Sequence, residues 1–155
     1  MNPFTFEKTA TGSAIPYDLL LLADETREAI DRYIFNSEIY QLYDDTRAIA
    51  VIALHPNSTT ELEIKNMAVV ENYRNRGIGS ILIDKAKAIA QQNGFTMLVV
   101  GTSDTGFQQL RFYEKNGFAK KGMRKDFFIE NYPLPIYENG LQMRDMIVLA
   151  HDLSE

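Results

Sequence analysis

Cysteine is absent from this chain of 155 residues, and that one absence excludes a disulfide framework, a thiolate metal site and a cysteine nucleophile. An acyl group carried on sulfur must therefore arrive on a second substrate. Basic runs are also missing. The 16 Lys and Arg are scattered among 21 Asp and Glu, for a formal charge of -5, so the positive footprint that follows a phosphate backbone is not there and nucleic acid is not an expected partner. No apolar run approaches the roughly 20 residues that cross a bilayer, and the N-terminus joins no basic region to an apolar stretch and a cleavage site. Without a membrane or export signal, the cytoplasm is the expected compartment. His55 and His151 stand alone, make no metal pattern and are expected to be structural; no metal is expected. Neither repeats, low-complexity segments nor shifts in composition divide the chain. With 45% hydrophobic and 11% aromatic residues, residues 1–155 are expected to fill one core as a single domain.

What is present reads as alternating strands and helices. Residues 4–8 suit a short strand, an apolar helical segment follows over 19–23, and a second helix from Asp24 places Ile30, Tyr33 and Ile34 on one face. Residues 38–43, 47–54 and 61–70 are rich in β-branched and aromatic types and are separated by turn formers, which predicts three antiparallel strands. From Ile78 the period changes: Ile78, Ile81, Leu82, Ala86, Ile89 and Ala90 share a helical face, and Asn93-Gly94 supplies the stop. A buried strand over 95–100, a helix over 107–116 ended by Gly117, and two strands over 118–129 and 144–152 complete an α+β arrangement with helices on a mixed sheet.

The segment from Met67 to Leu82 runs strand, turn, helix, with Gly77 and Gly79 at the junction. Glycines there let backbone pass close to a ligand, and the first free amides of the helix point outward with the positive end of its dipole behind them. A pyrophosphate suits such a place, with Arg74 and Arg76 adding charge at the rim and Ser80 a hydroxyl. A tight turn with no ligand fits the same two glycines. Other phosphate loops fit worse: Gly79 is followed by Ser80 and Ile81 where a P-loop has Lys and Ser/Thr, and Leu82 holds the place of a dinucleotide fingerprint's third glycine.

Arg74-x-x-Gly77-x-Gly79, behind a strand ending Met-Ala-Val and ahead of an amphipathic helix, resembles the acetyl-CoA motif of the GNAT acetyltransferase superfamily. Downstream, Tyr113-Glu-Lys-Asn-Gly117-Phe118 resembles that family's second signature. Residues 126–146 are similar to the tail of a group of uncharacterised bacterial members, with Asp-Phe-Phe, Tyr-Glu-Asn-Gly and Arg-Asp-Met elements. The resemblance implies a mostly antiparallel mixed sheet of six to seven strands, helices on both faces and a central strand pair that splays. It implies acetyl-CoA as cosubstrate, with amides near Asn75, Gly77, Gly79 and Ser80 around the pyrophosphate and the backbone of Met67, Ala68 and Val69 pairing with the pantetheine arm. Family habit also admits a homodimer.

Acetyl transfer to an amine needs a neutral amine, a polarised thioester carbonyl and a proton for the departing thiolate. With no cysteine and no Gly-x-Ser-x-Gly elbow, direct attack by the amine is the economical mechanism. By the resemblance, Tyr113 is the acid and Glu63 the place of a general base; a core tyrosine and a solvated strand charge are the plainer readings, and a water chain is a third route for the amine proton. Glu61, two residues from Glu63, shares its strand face. Asp104 lies near where many members place an asparagine that bonds the pantetheine or a water, and as a helix cap it has a second reading. The aromatic and acidic loop over 126–140 suits an acceptor site, a contact between subunits or a cover over a sheet edge. The acceptor is expected to be a small-molecule amine or a protein amine; a noncatalytic acyl-CoA-binding domain is the alternative.

Overall fold

The computed structural model describes residues 4–10 and 12–154. Its strands are β1 (Phe4–Lys8), β2 (Glu38–Asp44), β3 (Arg47–Pro56), β4 (Glu61–Val69), β5 (Met97–Ser103), β6 (Ala119–Arg124), β7 (Tyr137–Glu138), β8 (Leu141–Gln142) and β9 (Met146–Asp152). The helices are α1 (Tyr17–Leu20), α2 (Arg27–Ile34), α3 (Ile78–Gln92), α4 (Phe107–Lys115) and α5 (Phe127–Asn131). Seven strands form one sheet in the order β1-β2-β3-β4-β5-β9-β6, and β7 and β8 form a separate hairpin. Every neighbouring pair in the large sheet is antiparallel except β4 and β5. This is the expected mixed sheet, and no helix among the described residues is long and apolar enough to cross a membrane.

Sequence chemistry places the two helical layers. Residues Ile49–Leu54 of β3 are apolar without interruption because both faces of this central strand are covered. Ile49, Ile52 and Leu54 join the core that holds Ile78, Leu82, Ile83 and Ala86 of α3, while Val51 and Ala53 join Leu20, Ile30 and Ile34 of α1 and α2 on the other face. Full burial of each such aliphatic side chain contributes about 1.5–3 kcal/mol. The start of α2 is fixed by Thr26, whose hydroxyl accepts the Ala29 N–H at 3.1 Å. The end of α3 is a Schellman turn: Phe95 N–H donates to Ala90 O and Gly94 N–H to Gln91 O.

The C-terminal third departs from expectation. A strand over 118–129 was the natural reading of its β-prone residues, but β6 ends at Arg124. Asp126 takes a left-handed φ of 56°, its N–H bonds Asp145 Oδ1 at 2.8 Å, and the chain turns into α5. Phe128 of that helix is buried and stacks on Tyr132 with ring centroids 5.9 Å apart. The hairpin that follows closes through Asn139-Gly140, both at positive φ, the pairing favoured in two-residue hairpin turns.

Candidate active site

The central pair splays where expected. Strands β4 and β5 pair only from Glu61↔Met97 to Ile64↔Val100. Beyond that point β4 stays with β3 as far as Ala50↔Val69 and β5 stays with β9 as far as Ser103↔Met146. Residues 65–69 and 101–103 therefore turn unpaired edges toward each other. At the start of the split β4 carries a bulge: Ala53 pairs with Asn66 and Leu54 with Ile64, leaving Lys65 over. The extra residue changes which side chains face which layer. Leu62 and Ile64 lie on the α3 side with Met67 and Val69, so Glu63 and Asn66 come to the α1–α2 side with Ala68.

A cleft of about 740 Å³ fills the split, lined by β4 from Glu63 to Val69, by Val100–Ser103, Arg74 and Tyr113, and by residues of α2, α5 and the segment around Tyr137. The loop over 126–140 thus walls the cleft: Tyr132 donates its O–H to Asp24 Oδ1 at 2.7 Å and Arg32 donates to Asn131 O at 2.8 Å. Glu63 is 3% exposed. Its Oε1 receives Asn57 Nδ2 at 2.9 Å and Arg124 Nη2 at 3.3 Å, with Lys65 Nζ also at 3.3 Å. Its Oε2 accepts no hydrogen bond from the described residues, and Glu63 is part of the cleft lining. Glu61 does share the face, since Asn57 Nδ2 also bonds it at 2.8 Å. That bond, with Lys121 at 2.9 Å, holds the Glu61 carboxyl below its ordinary pKa.

Tyr113 belongs to the core and also lines the cleft. It is 8% exposed and packs with Phe112 and Phe118. The signature around it is a second Schellman turn: Phe118 N–H donates to Tyr113 O at 3.0 Å and Gly117 N–H to Glu114 O at 3.2 Å. Gly117 has φ +94°, a conformation that a side chain opposes. Phe118 then meets Tyr113 edge-on at 5.6 Å, the apolar contact that accompanies this cap. The motif is a device that fixes the tyrosine ring. Its hydroxyl makes no hydrogen bond to the described residues, and burial pushes its pKa up, which keeps the proton on oxygen.

At the glycine turn, Gly77 takes φ +78° as the N-cap of α3, with no side-chain cap and no acid in the first turn. The first amide bonded into the helix is that of Ile81, to Gly77 O. The amides of Ile78, Gly79 and Ser80 thus have no helical partner. Gly79 serves packing as well, because a Cβ there would lie 3.0 Å from the Phe112 ring. Asn75 is exposed at φ +62°. Arg74 donates from Nε to Val69 O at 3.0 Å, and Arg76 lies over the Tyr73 ring at 5.2 Å. Neither guanidinium is in an ion pair among the described residues. An uncapped helix start flanked by two arginines without ion-pair partners has the chemistry that suits an anion.

Residues 10–118 match the model of the acetyltransferase (GNAT) family. The chain belongs to the GNAT acetyltransferase family. An uncharacterised N-acetyltransferase of Bacillus subtilis, YvbK, is 36% identical over 137 residues, which cover 88% of each chain. A GNAT family acetyltransferase from Elizabethkingia anophelis, solved with acetyl-CoA bound, superposes with a TM-score of 0.94 at 39% identity, over 98% of this chain and 99% of that one. A Bacillus subtilis acetyltransferase in complex with CoA gives 0.88 at 33% identity, over 96% and 98%. For this GNAT chain, the open β4 edge, the uncapped α3 and the unpartnered phenol fit such a substrate.

Other readings need correction or addition. Asp104 does not cap α4, whose N-cap is Gly106; its Oδ1 accepts the Arg144 N–H at 3.2 Å, and it is not part of the cleft lining. His55 bonds Asn57, and His151 Nδ1 donates to Gly117 O at 2.8 Å. Asn66, Tyr33 and Asp24 are cleft residues that sequence reading passed over: Tyr33 was placed only on a helix face with Ile30 and Ile34. Burial raises the phenol pKa values of Tyr33 and Tyr132, as it does that of Tyr113. Below the unfolded value of about 10 both states hold these protons; above it the unfolded chain releases them first, so stability falls as pH rises. Thermal melts are expected to be flat from about pH 7 to 9 and to drop steeply above about pH 10.

Proposed function

We propose that this protein moves the acetyl group of acetyl-CoA to a primary amine by direct attack. The observation that carries the reading is that Tyr113, whose protonated hydroxyl has no hydrogen bond to the described residues, and Glu63, whose Oε2 has none, line one cleft at the split between β4 and β5. In this scheme the amides of Ile78, Gly79 and Ser80, with Asn75, Gly77, Arg74 and Arg76, hold the pyrophosphate, and the free edge of Met67, Ala68 and Val69 takes the pantetheine arm as an added strand. Asp104 contributes at most from outside the cleft. The amine nitrogen forms the new C–N bond as the C–S bond breaks. Glu63, through Oε2 and an intervening water, takes the nitrogen's proton, and Tyr113 gives its own to the leaving sulfur. The phenol then regains a proton from solvent.

The test is release of CoA thiol from acetyl-CoA with butylamine, spermidine, glucosamine and a lysine peptide as acceptors. At least one is expected to raise thiol release well above the acceptor-free rate; no rise with any amine would remove this reading. With the acceptor that works, Glu63→Gln is expected to lower kcat/KM by about tenfold to a hundredfold near pH 7. The deficit should shrink toward pH 10, where about a quarter of a primary amine of pKa about 10.4 is neutral without help. A deficit that stays constant with pH would take the base role from Glu63.

A further inference from the structure

Among the described residues that line the cleft, one buried polar atom lacks a partner. Asn66 follows the bulge on β4 and is 5% exposed. Its Nδ2 donates to Leu20 O at 2.9 Å and to Tyr33 Oη at 3.1 Å. A backbone carbonyl can only accept, so chemistry fixes which end of the amide is nitrogen. Oδ1 is thereby held away from both contacts. Among the described residues it is the buried side-chain atom with no hydrogen bond, and Asn66 lines the cleft. A buried acceptor without a donor is unfavourable, and native proteins keep such atoms where a ligand or water completes them.

The neighbouring groups set the polarity of what completes it. Because Tyr33 Oη accepts from Asn66, its own proton goes to Asp24 Oδ2, at 3.0 Å. Tyr132 O–H and the Glu25 N–H go to Asp24 Oδ1 at 2.7 and 2.8 Å. Every donor of this chain is spent inward, and Asp24 has no ion-pair partner among the described residues. The nearby cations are directed elsewhere, Lys65 and Arg124 to Glu63 and Arg32 to Asn131 O. What the cleft offers at this end is acceptors, so the ligand must bring N–H groups. The bulge also sets Asn66 on the same face of β4 as Glu63, the base of the proposed reaction.

We propose that Asn66 Oδ1 receives an N–H of the acceptor's amino group and holds the attacking nitrogen on the Glu63 side of the split. The inference rests on the amine-acetylation reading, and a binding experiment separates the two. Protein saturated with CoA is titrated calorimetrically with butylammonium and with butyrate, using native chain, Asn66→Leu and Asn66→Asp. Both variants lose the Nδ2 bonds to Leu20 and Tyr33, but only Asp keeps an oxygen at the position. Butylammonium is expected to bind the native chain and butyrate not. Leu should weaken butylammonium at least about tenfold and Asp by less than about threefold, with CoA affinity unchanged in both. Asn66→Ala replaces Leu if thermal melts show that Leu does not fold. Equal weakening in the two variants, no butylammonium binding to native protein, or a loss of CoA affinity overturns the proposal. Acetyl transfer that ignores the difference between Leu and Asp overturns it alone, whereas Asn66-dependent butylammonium binding without transfer to any amine overturns only the functional reading.

Discussion

Replacing Tyr113 by Phe is expected to lower kcat by about a hundredfold to a thousandfold, the range for loss of a positioned general acid. Acetyl-CoA affinity and thermal stability should be unchanged. The separation is possible because the hydroxyl bonds to none of the described residues, so removing it leaves no protein group orphaned. The ring is fixed independently by Phe112, Phe118 and the cap at Gly117. Thiol-release kinetics, acetyl-CoA titration and melts on the same samples check all three parts. A kcat within about twofold of native would give the thiolate's proton to water instead, outside the range for a general acid.

Placing a carboxylate at the start of α3 should separate stability from binding in the opposite sense. Ser80 is the third residue of this helix, a position where Glu satisfies free amides and meets the positive end of the dipole. Ser80→Glu is therefore expected to leave the melting temperature unchanged or raise it by up to a few degrees, for about 0.3–1 kcal/mol of favourable charge placement. The same carboxylate would occupy the proposed pyrophosphate site between Arg74 and Arg76 and repel an anion there, so acetyl-CoA affinity should fall by at least about a hundredfold, or about 2.7 kcal/mol. Ser80→Ala, which leaves the amides open, should bind within about fivefold of native, the loss of one neutral hydrogen bond. If Ser80→Glu binds acetyl-CoA like the native chain, the pyrophosphate does not sit on this helix.

Strongly periodic segments were readable from sequence, and so were elements bounded by chemical stops. The helix from Ile78 and its end at Asn93-Gly94 follow from spacing and capping, and the buried β3 follows from its apolar run. Phe127–Asn131 was not readable as helix, because Phe-Phe-Ile favours strands locally and the turn depends on a long-range bond from the Asp126 N–H to Asp145. Asp104 reads as a cap until Arg144, forty residues on, supplies its partner. The candidate site residues divide the same way. Gly77, Gly79 and Tyr113 stand in recognisable patterns, whereas a lone Asn in a strand carries no signal. Asn66 acquires meaning only when the bulge, Leu20 and Tyr33 are brought around it.

That bulge makes the face on which Asn66 lies depend on Lys65 staying out of the ladder more than on which side chain stands there. Lys65 opposes no residue of β3, so another side chain there leaves the ladder as it is. Forcing Lys65 into the ladder opposite Ala53 would turn the rest of β4 by half a pleat, so that Asn66 would exchange faces with Met67 and a polar group would be driven into the core under α3; deleting Lys65 would only close the bulge, with Ile64 still opposite Leu54 and Asn66 still opposite Ala53. A residue that takes no part in the pairing thus decides which layer the second half of β4 addresses with each of its side chains.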